Sequence, residues 1–186
     1  MPLPLQPTLL HPCLALQPLE AQDFEALYAL AAEPEVWAQH PNKERWRREV
    51  FETFFEGAMQ SQGALKVLLP ASGTIIGTSR YYDYQEAERS ILIGYTFYGR
   101  AYWGKGYNHK AKSLMLDHIF QFVENVYFHI GACNVRSQIA IGRLGASKVA
   151  EEEITYFGEN PAPNYIYHIS KAAWQGFKAA SDLSQY

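Results

Sequence analysis

Trp103-Gly104-Lys105-Gly106-Tyr107-Asn108 is the stretch of this sequence most suited to chemistry. It joins a strand-like run, Ser90–Tyr98, to a helix-like run, His109–Val123. The first N–H groups of a helix lack intrahelical partners, and the macrodipole favours negative charge beside them. Glycines at such a turn let the backbone approach a phosphate closely and take positive φ. Charge points the same way. Between Glu88 and Asp117 there is no acidic residue, while Arg89, Arg100, Lys105, Lys110 and Lys112 are all basic. Lys110 falls in the first helical turn, where a cation opposes the dipole, and a bound anion would offset that placement. The pattern implies a phosphorylated ligand.

Two phosphate chemistries do not fit. The segment from Gly99 to Gly106 nearly matches a P-loop, but Gly106 stands where Ser or Thr would ligate magnesium. A dinucleotide fingerprint fails because His109 takes the place of its third glycine. Nucleotide hydrolysis and hydride transfer are thereby disfavoured.

The elements that must position the loop follow from periodicity. Phe24, Leu27, Tyr28 and Ala31 share one face of a helix over Ala21–Ala32. Trp46, Val50 and Phe54, with Phe51 and Phe55, form the apolar side of a second helix, Lys43–Met59, whose Arg45, Arg47 and Arg48 read as a solvated face. His11–Leu16, Ala64–Leu69, Thr74–Tyr84 and Ser90–Tyr98 read as strands, with a turn at Pro70-Ala71-Ser72-Gly73. Beyond the loop, Ala111, Leu114, Met115, His118, Ile119 and Phe122 form a helical stripe. Tyr127–Cys133 is a strand, Ser137–Leu144 a short helix, and Lys148–Phe157 and Tyr165–Ser170 are strands. This order implies an α+β (mixed α/β) domain over residues 10–180 after a flexible arm at residues 1–9.

The 186 residues, 48% hydrophobic and 15% aromatic, suffice for a single core. A net charge of −3 gives no global reason to expect nucleic acid as a partner. With two cysteines that do not form a ligand-spaced pair, no secretory signal and no long apolar run, the expected setting is cytoplasmic, away from a membrane. The six histidines have no paired ligand spacing, so no metal is expected. Monomer and homo-oligomer both remain open.

Trp-Gly-Lys-Gly-Tyr-Asn before an amphipathic helix resembles the acetyl-CoA loop of the GNAT acyltransferases, most closely the branch of the ribosomal-protein N-terminal acetyltransferases. Leu16 to Asp23 resembles the family's opening strand and turn, and Ile93-Gly94-Tyr95 its fourth strand. Asn134-Val135-Arg136-Ser137 with Leu144-Gly145-Ala146, and Tyr165 to Ser170 with Trp174, resemble its later blocks. The resemblance implies a single domain with a central, mostly antiparallel sheet, flanked by helices. Within it a parallel pair, Ser90–Phe97 and Tyr127–Cys133, would splay around acetyl-CoA. The pantetheine arm would pair near Thr96 and Phe97, and Asn134 and Ser137 would contact it. Trp103, Gly104, Lys105, Gly106, Tyr107, Asn108, His109 and Lys110 would hold the pyrophosphate. The implied reaction is acetyl transfer to a primary amine, a protein N-terminus or a small amine. A catalytically weak CoA-binding module is the alternative.

This chain also departs from the family pattern. Leu92 replaces a Glu that is a candidate base in relatives, and Ile141 replaces a Tyr that protonates the leaving thiolate in many of them. Ser137 and His109 are the remaining candidates for proton handling. Ser137 also reads as a helix N-cap, and His109 as a phosphate contact.

Overall fold

The computed structural model describes residues 3–181. Eight strands form one sheet: β1 (Leu9–His11), β2 (Leu14–Pro18), β3 (Ala64–Leu69), β4 (Thr74–Gln85), β5 (Ser90–Tyr98), β6 (Asn125–Gly131), β7 (Ser147–Ile154) and β8 (Ala162–Ser170). Their spatial order is β1-β2-β3-β4-β5-β6-β8-β7. Every neighbouring pair is antiparallel except β5 and β6. Among the described residues there are also five α-helices, α1 (Phe24–Ala31), α2 (Arg48–Ser61), α3 (Tyr107–Ile119), α4 (Val135–Gly142) and α5 (Lys171–Ser181), and three short 3-10 helices. The expected α+β domain with one parallel pair is therefore present.

The two faces of the sheet are covered by different helices. On one, Ala111, Met115, Leu116 and Ile119 of α3 pack against Tyr81, Ile91, Ile93 and Val126, with Trp174 of α5 in the same cluster. On the other, Leu27 and Ala31 of α1 meet Phe51, Phe54, Phe55 and Ala58 of α2, together with Trp37 and Phe97. Fully burying one such aromatic or aliphatic side chain contributes about 1.5–3 kcal/mol. Leu3, Leu5 and Leu9 lie against the α3-side cluster, and Gln6 donates to the Ala64 carbonyl at 3.1 Å.

Element starts differ from the sequence reading in two places that matter. The second helix begins at Arg48, not Lys43, because Arg47 is extended and serves as its N-cap. Arg45 therefore lies ahead of the helix and is not held to its solvated face. Helix α4 begins at Val135, with Asn134 as cap accepting from the Ser137 N–H at 3.2 Å. The capping role open to Ser137 belongs to Asn134.

The β5–β6 pairing places the site. It runs only from Ser90 to Leu92 against Asn125 to Tyr127, and then the strands separate. At the start of the separation β5 carries a bulge: Ser79 of β4 faces both Tyr95 and Thr96, since Thr78 pairs with Phe97 and Arg80 with Gly94. Tyr95 sits at φ 51°, a left-handed conformation that costs a bulky residue about 1–3 kcal/mol. The bulge sends Tyr95 towards Arg80 and α2, and Thr96 towards α3.

Candidate active site

A cavity of about 630 Å³ fills the gap between the diverging strands. Its walls include Ile93–Tyr98 of β5, Phe128–Gly131 of β6, the glycine loop and the first turns of α3 and α4. Beyond Leu92 and Tyr127 the facing edges of β5 and β6 have no ladder partner in each other, so their N–H and C=O groups are open to a bound chain.

At one end lies the glycine loop. Gly104 and Gly106 have φ of 71° and 78°, and a Cβ built at either would meet no atom within 4 Å. Glycine is required there for conformation and not for lack of room. Gly106 is the N-cap of α3, and the first turn of that helix has no acidic residue. The first α-helical hydrogen bond is Lys110 N–H to Gly106 O at 3.2 Å, which leaves the preceding N–H groups available. Asn108 Oδ1 is buried without a hydrogen-bond partner. Such a cradle fits the pyrophosphate of coenzyme A, and the open strand edges fit its amide-bearing arm.

Of the residues singled out in the sequence, Thr96, Phe97, Trp103, Gly104, Gly106, Tyr107, Asn108, His109, Asn134 and Ser137 line this cavity. Lys105 and Lys110 do not: Lys105 Nζ lies 5.8 Å from the Tyr102 ring centroid, and Lys110 Nζ is directed at Cys13 Sγ, 3.7 Å away. The Ser137 side chain makes no hydrogen bond among the described residues, so its hydroxyl is available to the cavity. His109 is held below the usual histidine pKa, chiefly by burial, and is neutral at pH 7.

The structure adds contacts around the cavity that the sequence does not show. Lys112 is 3% exposed and lines the cavity on the α3 side. Its Nζ donates to Thr96 Oγ1 at 2.6 Å and Ser79 Oγ at 2.7 Å, and the two hydroxyls are 2.9 Å apart. Burial without a carboxylate partner pushes its pKa down to about 7. Trp103 donates from Nε1 to the Tyr98 carbonyl at 2.8 Å, and Arg136 of α4 lies over its ring at 4.0 Å. Arg136 also donates to Val36 O at 3.1 Å, so this one side chain spans the mouth of the gap.

At the far end, on the α2 side, Arg45 is 2% exposed and pairs with Glu159 at 2.6 Å. The rings of Trp37, Phe54, Tyr95 and Tyr156 surround its guanidinium at 5.0–6.0 Å. The solvated face expected of Arg45, Arg47 and Arg48 thus holds for the latter two only. Arg80 lies 3.9 Å from the Tyr95 ring centroid, without a carboxylate partner. His40 lines the same end and is held well below the usual histidine pKa by burial and then by Arg45.

A sequence profile of the acetyltransferase (GNAT) domain matches residues 14–147. No curated protein sequence matches the chain. Among solved structures, a GCN5-related N-acetyltransferase from Brucella melitensis superposes with a TM-score of 0.83 at 18% identity, covering 98% of this chain and 86% of that one. Mycobacterium smegmatis RimJ, solved with CoA-disulfide, gives a TM-score of 0.71 at 16% identity, covering 95% and 93%. Spermidine N-acetyltransferase from Vibrio cholerae, solved with CoA and spermine, gives 0.66 at 14% identity, covering 89% and 99%. Among the described residues no helix is long and apolar enough to cross a membrane. With the domain profile spanning most of its length and the cleft between β5 and β6 formed, this chain belongs to the GNAT acetyltransferase family.

Proposed function

We propose that the protein transfers the acetyl group of acetyl-CoA to a primary amine, a protein N-terminus or a small amine, by direct attack on the thioester. The observation that carries this reading is one cavity lined by the glycine loop on one side and by Arg45 and its aromatic rings on the other. The Gly104–His109 backbone, with Trp103 beside it, holds the pyrophosphate. Lys105 and Lys110 lie outside the cavity lining and contribute positive potential at that end. The open edge around Thr96 and Phe97 pairs with the pantetheine arm, and Asn134 caps α4 beside it.

In the reaction the amine nitrogen forms a bond to the thioester carbon, the carbon–sulfur bond breaks, and one proton passes from nitrogen to sulfur overall. No Asp or Glu lines the cavity among the described residues, and Leu92 is buried in the position where a carboxylate was sought. The amine therefore enters neutral or yields its proton to water or to a neutral histidine. His109 is neutral at pH 7 and Ser137 has an unengaged hydroxyl, so they are the candidates for proton transfer near the sulfur.

The same lack of a carboxylate favours the second reading, a CoA-binding module with weak catalysis. Release of free thiol from acetyl-CoA separates the two. Amine-dependent release at a rate set by the amine supports transfer. Tight CoA binding without turnover on N-terminal peptides or small amines would support the module.

A further inference from the structure

The acceptor end of the cavity constrains the amine that enters it. This inference rests on the acetyl-transfer reading and narrows its substrate class. The cations in the cavity wall are Arg45, Lys112, Arg136 and Arg143, and no carboxylate joins them. Arg136 and Lys112 belong to the loop and α3 side, where the cofactor's phosphates account for positive charge. Arg45 does not. It lies on the α2 side among the aromatic rings, and Arg80 lies behind Tyr95 on that same side.

The charge there does not balance. Two buried guanidiniums share one carboxylate, Glu159, which meets Arg45 through a single oxygen, Oε1. Arg80 donates from Nη2 to the Phe54 carbonyl, while its Nε is buried without a partner. The remaining titratable neighbours do not correct the excess. His40 is held uncharged, and Tyr82 and Tyr156 are held protonated by burial. The exposed Asp83 and Glu152 act on His129, Asp83 also on Tyr82, with no ion pair to either guanidinium among the described residues. One positive charge is left over beside the chamber.

The aromatic box bears on the same point. Four rings around a vacant centre would attract an ammonium group. Here Arg45 takes that centre, and Arg80 also lies over two of the same rings, Phe54 and Tyr95. A polycationic amine would meet occupied rings, two like charges and no carboxylate. We infer that the acceptor is an amine that also carries an oxyanion, a carboxylate or phosphate, drawn to Arg45 and the field of Arg80. The planar guanidinium fork suits such groups, and Arg45 Nη1 has no hydrogen-bond partner among the described residues.

The test measures thiol release from acetyl-CoA with amino acids, their amides, aminoalkyl phosphates and polyamines of matched length. The expected result is that kcat/KM for an amino acid or aminoalkyl phosphate exceeds that of its uncharged counterpart by roughly tenfold or more, the scale of one charged hydrogen bond. Amides or polyamines used as well as or better than the oxyanion-bearing amines would overturn the inference while leaving acetyl transfer intact. CoA binding with no turnover on any of the amines would remove the acetyl-transfer reading and the inference with it. The paired variant Arg45→Met, Glu159→Gln removes both charges without stranding either. With its fold checked by near-ultraviolet circular dichroism, it should lose most of the oxyanion preference; full retention would contradict the role of Arg45.

Discussion

Lys112 Nζ lies 2.6 Å from Thr96 Oγ1, joining the helix that starts at the glycine loop to the bulge where β5 leaves β6. The helix that follows the glycine turn and the open strand edge are thereby tied to one another by a buried amine.

That amine gives a pH-dependent stability with a definite sign. Its folded pKa of about 7 lies below the unfolded value near 10.4. Between these values the unfolded chain binds more protons, so stability rises with pH, by at most about 1.4 kcal/mol per pH unit from this group. The charge-burial penalty is fully present below pH 7. Lys112→Met should flatten the slope between pH 7 and 9.5 and raise stability at pH 6. Urea unfolding of both proteins across this range checks it; an unchanged slope contradicts the buried-amine account.

Histidine 40 acts on the acid side. Its folded pKa lies well below 6.5, so from pH 6.5 downward the unfolded chain takes up the proton first, and stability falls with falling pH. His40→Gln should reduce the loss between pH 6.5 and 5. Thermal melts of the two proteins over that interval test this.

Much of the fold could be read from the sequence because local pattern and global role agree. Ala111, Met115 and Ile119 of α3 and Phe51, Phe54 and Phe55 of α2 are buried as their spacing requires, whereas Phe122, beyond the end of α3, and Trp46, ahead of α2, are exposed. The glycine turn was legible for a similar reason: Gly104 and Gly106 lie two residues apart in one turn, and both take positive φ. The α2 end of the cavity is made by side chains that only the tertiary structure brings together. Arg45 meets Glu159 across 114 residues, and Tyr156 reaches Tyr95 from the loop after β7. Helical phase misplaced Arg45 because it was applied to a residue ahead of the helix start. Lys112 reads in the sequence as one of the cations around the loop, since no sequence signal shows that its partners are two hydroxyls from neighbouring strands.

Breaking the Arg45–Glu159 pair on one side should be costly. Arg45→Ala leaves Glu159, 10% exposed, without its cation, at a cost of about 3 kcal/mol or more. For a chain of this size, that lowers Tm by roughly 6–12 °C. The paired Met and Gln variant should recover most of the loss. Calorimetry of the single and paired variants checks the difference.

Trp103 should matter to the cofactor more than to the fold. Trp103→Ala removes the bond to the Tyr98 carbonyl and the ring beneath Arg136. We expect Kd for CoA to rise by roughly tenfold, the combined scale of a cation–π contact and a lost hydrogen bond. Titration calorimetry tests this; unchanged affinity would mean that the Arg136 span does not contribute to the binding mouth.

Gly106→Asp tests the cradle itself. Asp tolerates left-handed backbone better than most residues, and no atom lies within 4 Å of the new Cβ, so the fold should survive. Its charge would stand at the phosphate position and weaken CoA binding by roughly a hundredfold or more, because like-charge juxtaposition costs several kcal/mol. Unchanged affinity would remove the loop from the binding site.

The central claim, direct acetyl transfer through the gap between β5 and β6, is tested most directly in a single turnover. Protein in excess over acetyl-CoA is mixed with a primary amine, and mass spectrometry follows the amine and the intact protein together. N-acetylated amine and free CoA should appear in step, with the protein mass unchanged at every time. Acetyl-protein appearing before the product, or bound acetyl-CoA persisting intact with every amine offered, would contradict it.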